Sequence, residues 1–114
     1  MDILIIKPNW GTKILNGEKT WEIRGSDTKK RGRIALAFSR TGKKYGEAEL
    51  TASITLTEDL WNTGVDKHCI CGMSWAELLE VYKHPHAWVF EKPAWYEEPV
   101  AFTPHPGAVI WVKE

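Results

Sequence analysis

With 114 residues and a 43% hydrophobic content, the chain fits one domain with a single core of modest size. No apolar run approaches the length needed to span a membrane, and Met1–Pro8 lacks the basic start and cleavage site of a signal peptide. Cys69 and Cys71 stand one residue apart, badly placed for a structural disulfide, so a soluble cytoplasmic protein with reduced thiols is expected.

The formal net charge of zero hides a division. Residues 1–44 hold eleven Lys and Arg against four Asp and Glu, net +7, whereas residues 45–114 hold four against eleven, net −7. Either the basic half forms a face that attracts phosphates, or strands of the two halves interleave and neutralise one another.

Taken in order, Ile3–Lys7 reads as a buried β-branched strand ended by Pro8. Asn9 is the expected N-cap of a short helix, Trp10 to Asn16, with Trp10, Ile14 and Leu15 turned inward and Gly17 closing it. The chain then enters the stretch Glu18-Lys-Thr-Trp-Glu-Ile-Arg24. Alternation on a strand places Trp21 and Ile23 on one face with Lys19, and Thr20, Glu22 and Arg24 on the other. Glu22 and Arg24, two residues apart on that face, can pair and can both reach one bound group. The plainer alternative is a half-buried strand with a solvated ion pair.

Gly25 to Gly32 is a polar, glycine-bracketed loop carrying Lys29, Lys30 and Arg31, either a phosphate contact or a solubilising surface. Arg33–Ser39 alternates through Ile34, Leu36 and Phe38 as a half-buried strand, and Thr41-Gly-Lys-Lys44 turns the chain back to form a basic hairpin. Tyr45–Thr57 is expected to be the longest strand, with Ala48, Leu50, Ala52, Ile54 and Leu56 on one face and Glu47 and Glu49 opposite. Glu58–Asn62 suits one helical turn. Ser74-Trp-Ala-Glu77 is a capping box that opens a helix to about Lys83, its buried side formed by Leu78, Leu79, Val81 and Tyr82. Strands at His86–Phe90, Val100–Phe102 and Val109–Val112 complete the chain, the first two joined by the proline- and aromatic-rich Glu91–Pro99.

About six strands with short helices at the connections predict a mainly β, α+β domain built as a small closed or nearly closed barrel. The strand Ile5-Ile-Lys-Pro8, the helix ending at Gly17, and Glu18-Lys-Thr-Trp-Glu-Ile-Arg24 together resemble the ASCH domain, a small β-barrel family related to the PUA fold. His86-Ala-Trp-Val89 and His105-Pro-Gly-Ala-Val-Ile-Trp-Val112 are similar to the last strands of small bacterial and phage ASCH proteins. The resemblance implies a PUA-like barrel flanked by two or three short helices, with a groove beside its mouth near Lys7, Lys19, Glu22 and Arg24.

Two functions follow from that resemblance. In the first, the domain binds RNA or a modified nucleoside: Lys7, Lys19, Lys29, Lys30, Arg31, Lys43 and Lys44 supply positive charge, Trp21 or Trp10 an aromatic floor, and Glu22 with Arg24 a reader of base edges. The alternative is hydrolysis. Some small ASCH proteins deacetylate acetylated cytidine with a lysine, a threonine and a glutamate. The lysine falls on Lys19, but Glu22 stands at the threonine position and Cys71 near that of the glutamate. Thr20 is the remaining hydroxyl nucleophile, although it should face away from Lys19. A ribonuclease built on Lys19, Tyr45 and Glu22 is a further variant, and a protein-interaction role a third class. No cofactor is expected. His68, Cys69, Cys71, His84 and His86 have zinc-ligand chemistry without its usual spacing; buried thiols and a histidine at a helix C-terminus are expected instead of a metal site.

Overall fold

The computed structural model describes residues 1–103 and 110–113. In chain order its elements are β1 (Asp2–Ile6), α1 (Pro8–Leu15), β2 (Trp21–Arg24), β3 (Gly32–Phe38), β4 (Lys43–Thr55), α2 (Glu58–Thr63), α3 (Val65–His68), α4 (Trp75–Val81), β5 (His86–Ala101) and β6 (Trp111–Lys113). The strands form one sheet in the order β2-β5-β4-β3-β1-β6. Its pairings are antiparallel except for β1 with β3. The sheet curls into a half-barrel with β2 and β6 at its edges. The curl is visible in one bond: Arg24 on edge strand β2 donates from Nη2 to the Ile5 carbonyl of β1, four places away in strand order, at 3.2 Å.

Three apolar clusters follow from this curl. Inside it lie Leu4, Ile6, Ile14, Leu36, Leu50, Trp88 and Phe90, capped by α1. Trp21, Ile23, Leu56, Trp61 and Leu78 form a second cluster that joins β2 to α2 and α4. Ile3, Ala35, Ala37 and Val112 make a small third one. Because clusters lie on both sides of β3, Ala35 and Ala37 are as buried as Ile34 and Leu36, and the strand is not the half-exposed one that alternation suggests.

Several elements depart from the sequence reading. Helix α1 starts at Pro8 with Lys7 as an N-cap that makes no side-chain bond, so Asn9 is not the cap. Proline suits this position because its fixed φ fits the first turn, where an N–H would have no partner within the helix. Gly17, at φ 79°, ends the helix as expected. The longest strand is β5, not β4: the segment Glu91–Pro99 continues it and joins the two strands expected on either side. The residues that make this segment look like a loop, Pro93 and Pro99, sit where β5 has passed the end of β2 and pairs on one side only. On β4 the run from Ala48 to Leu56 does not keep one face. Leu50 pairs with Phe90 but Ala52 with Val89, so Thr51 is an extra residue. Ala48 and Leu50 therefore face the central cluster, whereas Ile54 and Leu56 face the second.

The capping box is present, with Ser74 Oγ accepting from Glu77 N–H and Glu77 Oε1 accepting from Ser74 N–H. Helix α4 stops at Val81, and Leu79 and Val81 are exposed; only Leu78 is fully buried, with Tyr82 partly so. The short helix α3 was not legible in the sequence, so the described residues hold four helices rather than two or three. The expected strand Val109–Val112 is β6 from Trp111 to Lys113; His105 to Val109 lie outside the described residues.

Candidate ligand cleft

Strand β2 is sandwiched. Trp21 and Ile23 face the second cluster at 7% and 6% exposure, and Glu22 on the opposite face is only 5% exposed. A carboxylate in that position needs cationic partners, and two are present. Arg24 donates from Nε to Glu22 Oε2 at 3.0 Å, and its Nη2 stands 2.9 Å from the same oxygen. Lys19 Nζ lies 3.8 Å from Glu22 Oε1. The guanidinium also lies over the Trp88 ring, 5.5 Å from its centroid. Both Trp88 and Glu22 occupy one cross-strand pair of β2 and β5, which is why they share a face.

Lys19 precedes the regular strand, and its side chain joins Glu22 rather than Trp21 and Ile23 as alternation had placed it. It is 1% exposed, donates from Nζ to the His68 carbonyl, and lies under Trp10, 4.7 Å from a ring centroid. Burial pushes its pKa down to about 8 against the opposing pull of the Glu22 carboxylate.

A cleft of about 590 Å³ opens beside this group. One side is polar: Lys7 from the end of β1, Glu22 and Arg24 from β2, and Ser39 and Arg40 from the turn after β3. Trp10 contributes an aromatic wall. The other side is apolar, from Ile70 and Met73 before α4 through Leu78 and Val81 to Tyr82. That side is tied down from behind. Trp61 donates from Nε1 to the Met73 carbonyl at 2.9 Å, and Ile70 N–H donates to His68 Nδ1 at 3.0 Å.

Of the residues singled out in the sequence, the structure brings Lys7, Glu22 and Arg24 together in the cleft, with Lys19 immediately behind Glu22. Trp21 is not part of it. Its ring is in the second cluster, with Lys67 Nζ 5.7 Å from its centroid, so of the two tryptophans Trp10 is the one that lines the cleft, with Tyr82 as a further aromatic residue. Thr20 borders a separate depression of about 330 Å³ together with Lys19, Gly17, Phe90 and Lys92.

The basic residues divide. Lys43 pairs with Phe38 at one end of β3, while Gly32, which follows Lys29, Lys30 and Arg31, starts the other end. Six residues of strand, about 20 Å, separate them, so the two loops are not adjacent tips. Lys43 and Lys44 share their end with Lys7 and Arg40, whereas Lys30 Nζ is bound to Asp2 at 3.0 Å and Arg31 to carbonyls of its own loop. The charged halves also interleave where Arg33 meets Glu47 at 3.1 Å, with Tyr96 donating its hydroxyl to the same carboxylate.

Arg40, Ser39 and the Ile70–Tyr82 wall were missed. Arg40 sits at φ 69° in a turn whose only sequence signal was its basic hairpin composition, and the wall depends on long-range packing. Tyr45 stacks on Phe38 at 4.1 Å and packs against the central core. Cys71 is exposed and Cys69 half-buried, contrary to the expectation of buried thiols. His84, expected to end a helix, lies beyond α4 and is exposed; the histidine that ends a helix is His68. Among the described residues no three His, Cys, Asp or Glu side chains converge to hold a metal ion. No helix among them is long and apolar enough to cross a membrane.

Comparison with known proteins gives one consistent answer. The ASCH domain family matches residues 4–100. Among solved structures, an ASCH protein from Zymomonas mobilis has a TM-score of 0.77 at 18% identity, over 99% of this chain and 87% of that one. A serine-to-alanine variant of the Zymomonas mobilis protein gives 0.76 at 19% identity, covering 99% and 88%. A tyrosine-to-phenylalanine variant gives 0.73 at 18% identity, covering 88% and 74%. At these identities the likeness establishes the fold. No curated protein matches the sequence. With its family match spanning most of the sequence and its half-barrel shared with the solved ASCH structures, this chain belongs to the ASCH domain family.

Proposed function

We propose that the cleft binds a nucleobase presented by an RNA chain or carried by a modified nucleoside, with Glu22 and Arg24 reading its edge and Lys7, Arg40 and Lys43 holding the attached phosphates. The observation that supports this most is the Glu22 carboxylate. It is buried, fixed on Oε2 by Arg24, and lines the cleft beside a rim of cations. A carboxylate accepts from an exocyclic amine or ring N–H, and its neighbouring guanidinium donates to a base acceptor, so the pair is complementary to a base edge. Trp10 supplies the stacking surface, and a cleft of about 590 Å³ suits a nucleoside-sized group.

The competing reading is a hydrolase that uses Lys19. Its support is the lowered pKa, about 8, which leaves an appreciable neutral fraction near neutral pH. Lys19 and Thr20 also border one depression of about 330 Å³; against the reading, Lys19 Nζ is engaged with the His68 carbonyl and Glu22. Glu22 stands where the deacetylases have threonine, and no glutamate occupies the region of Cys71.

One experiment separates the two. Purified protein is screened against modified nucleosides, acetylated cytidine among them, and short RNAs, with retention measured at low and high salt and turnover by mass spectrometry. Retention that falls with salt, without turnover, is the expected result. Retention that ignores salt, Glu22→Gln and Arg24→Ala alike, or no retention at low salt, overturns the binding proposal. Turnover lost in Lys19→Ala establishes the hydrolase instead.

A further inference from the structure

His68 is completely buried, yet each of its polar atoms has a defined partner. Its carbonyl accepts from Lys19 Nζ. The ring nitrogen Nδ1 accepts from the backbone N–H of Ile70, which can only donate. Nε2 stands 2.9 Å from the Trp61 carbonyl, which can only accept, and so carries the hydrogen. The two partners fix one neutral tautomer. The imidazole stacks on the Trp61 indole with centroids 3.9 Å apart and planes 10° from parallel.

This stacked pair holds the apolar wall of the cleft at two points: His68 takes the Ile70 amide, and Trp61 reaches the Met73 carbonyl. The segment between those residues contains exposed Cys71 and exposed Gly72, at φ 78°, and forms no helix or strand. Its position therefore rests on the His68–Trp61 pair and on the packing of Ile70 and Met73 against the second cluster.

We propose that His68 is a positioning residue that acts as an acid-released latch: neutral, it holds the Ile70–Met73 wall against the cleft, and a proton on Nδ1 frees that wall. A protonated Nδ1 would face the Ile70 N–H donor to donor, and the acceptor of the wall bond would be lost. The groups around the ring act in both directions. The Trp61 carbonyl and Asp66 on α3 favour the proton, and Lys19, from the segment before β2, opposes it; Lys67 is the adjoining residue on α3. Helix α2 presents the Trp61 ring and carbonyl, its acids Glu58 and Asp59 lying in the first turn, and α4 presents Glu77, already engaged with Ser74. Burial, the largest influence, lowers the His68 pKa below its ordinary value, so the latch is closed at neutral pH and opens on acidification. The consequence for ligand rests on the nucleobase-binding reading; the latch itself does not.

The test follows the imidazole nitrogens of His68 and the Ile70 amide in isotope-labelled protein by NMR as the pH is lowered from neutral until the ring is protonated. The neutral Nε2–H tautomer should persist at the upper end. As His68 gains its proton, exchange of the Ile70 amide should rise about tenfold or more relative to amides of β4. In His68→Asn, whose side-chain oxygen can keep an acceptor near Ile70 but cannot titrate in this range, that acid-dependent rise should disappear. RNA retention is measured on the same samples. Retention that weakens with His68 protonation in the wild type but not in His68→Asn is expected; no retention at any pH overturns the nucleobase reading and leaves the amide result to judge the latch. If His68→Asn does not fold, the wild-type titration still decides. A ring that titrates without change at Ile70, or that holds its proton on Nδ1 at neutral pH, overturns the proposal.

Discussion

Lys19 Nζ lies 3.8 Å from Glu22 Oε1, and neither residue is more than 5% exposed. This pair is not an isolated salt bridge, since Arg24 holds the other carboxylate oxygen and the His68 carbonyl accepts a hydrogen bond from the ammonium. Charge in this wall is compensated locally, and its compensation depends on pH.

Lys19 should make stability rise in the alkaline range. Its folded pKa, about 8, lies below the ordinary 10.5, so between these values the unfolded chain binds the extra proton and raising pH favours the folded state. The full contribution is about 3 kcal/mol, absent below pH 8 and complete above pH 10.5. Urea unfolding of wild type and Lys19→Met across this range should give curves that diverge by that order. Parallel curves would show that Lys19 keeps an ordinary pKa in the folded protein.

The Glu22–Arg24 pair should be strongly coupled. Glu22→Gln leaves two cations in the wall without their carboxylate, and Arg24→Met removes the ligand of Oε2; each should cost on the order of 3 kcal/mol. The double variant should cost less than the sum by about 1–3 kcal/mol, read from urea midpoints in a double-mutant cycle. Additive costs would mean that the two side chains do not depend on one another.

The separation of the basic loops predicts unequal effects on RNA. Arg40→Glu with Lys43→Glu, at the cleft end, should weaken retention about tenfold and reduce the log–log salt slope by roughly 1 to 1.5. Lys29→Glu with Arg31→Glu, at the far end of β3, should change both much less. Equal effects from the two pairs would place the RNA across both ends and not in the cleft.

Gly46→Ala should destabilise the fold without touching the cleft. A Cβ at Gly46 would stand 2.5 Å from the Ala94 carbonyl and 2.7 Å from Leu15 Cδ2. Leu15 can move, but the backbone of β5 cannot yield as cheaply, and a cost of about 1–3 kcal/mol is expected from thermal unfolding. Adding Leu15→Ala should not restore stability, because the carbonyl remains; full rescue would locate the clash in the side chain alone.

The legible parts of this chain are those governed by local rules. The Ser74–Glu77 capping box, the Gly17 helix end and the pairing of Glu22 with Arg24 each depend on residues within four positions of one another. The motif from Ile5 to Arg24 was sufficient to identify the family. What was hidden depends on distant partners. Trp21 looked available for stacking because its strand alternates, but α2 and α3 cover that face. Lys19 lies just before β2, where strand alternation no longer fixes its direction, and a carbonyl 49 residues away does. Lys29–Arg31 and Lys43–Lys44 are close in sequence, yet the strand between them keeps them apart. The wall from Ile70 to Tyr82 belongs to the cleft only because Trp61 and His68 draw it back.

The extra residue at Thr51 makes β4 a phase shifter between two hydrophobic compartments. Upstream of it, even-numbered side chains fill the curl of the sheet; downstream, even-numbered side chains fill the helical side, and Ser53 and Thr55 take the face on which Trp88 and His86 stand. Were Thr51 paired into the ladder like its neighbours, every amino acid type would stay in place while Ile54 and Leu56 were delivered to the wrong compartment and a serine and a threonine to the other. The bulge is thus what assigns side chains to compartments: deletion of Thr51 would leave both linings as they are, because Leu50 and Ala52 already meet consecutive partners, whereas drawing Thr51 into the ladder would exchange the linings downstream.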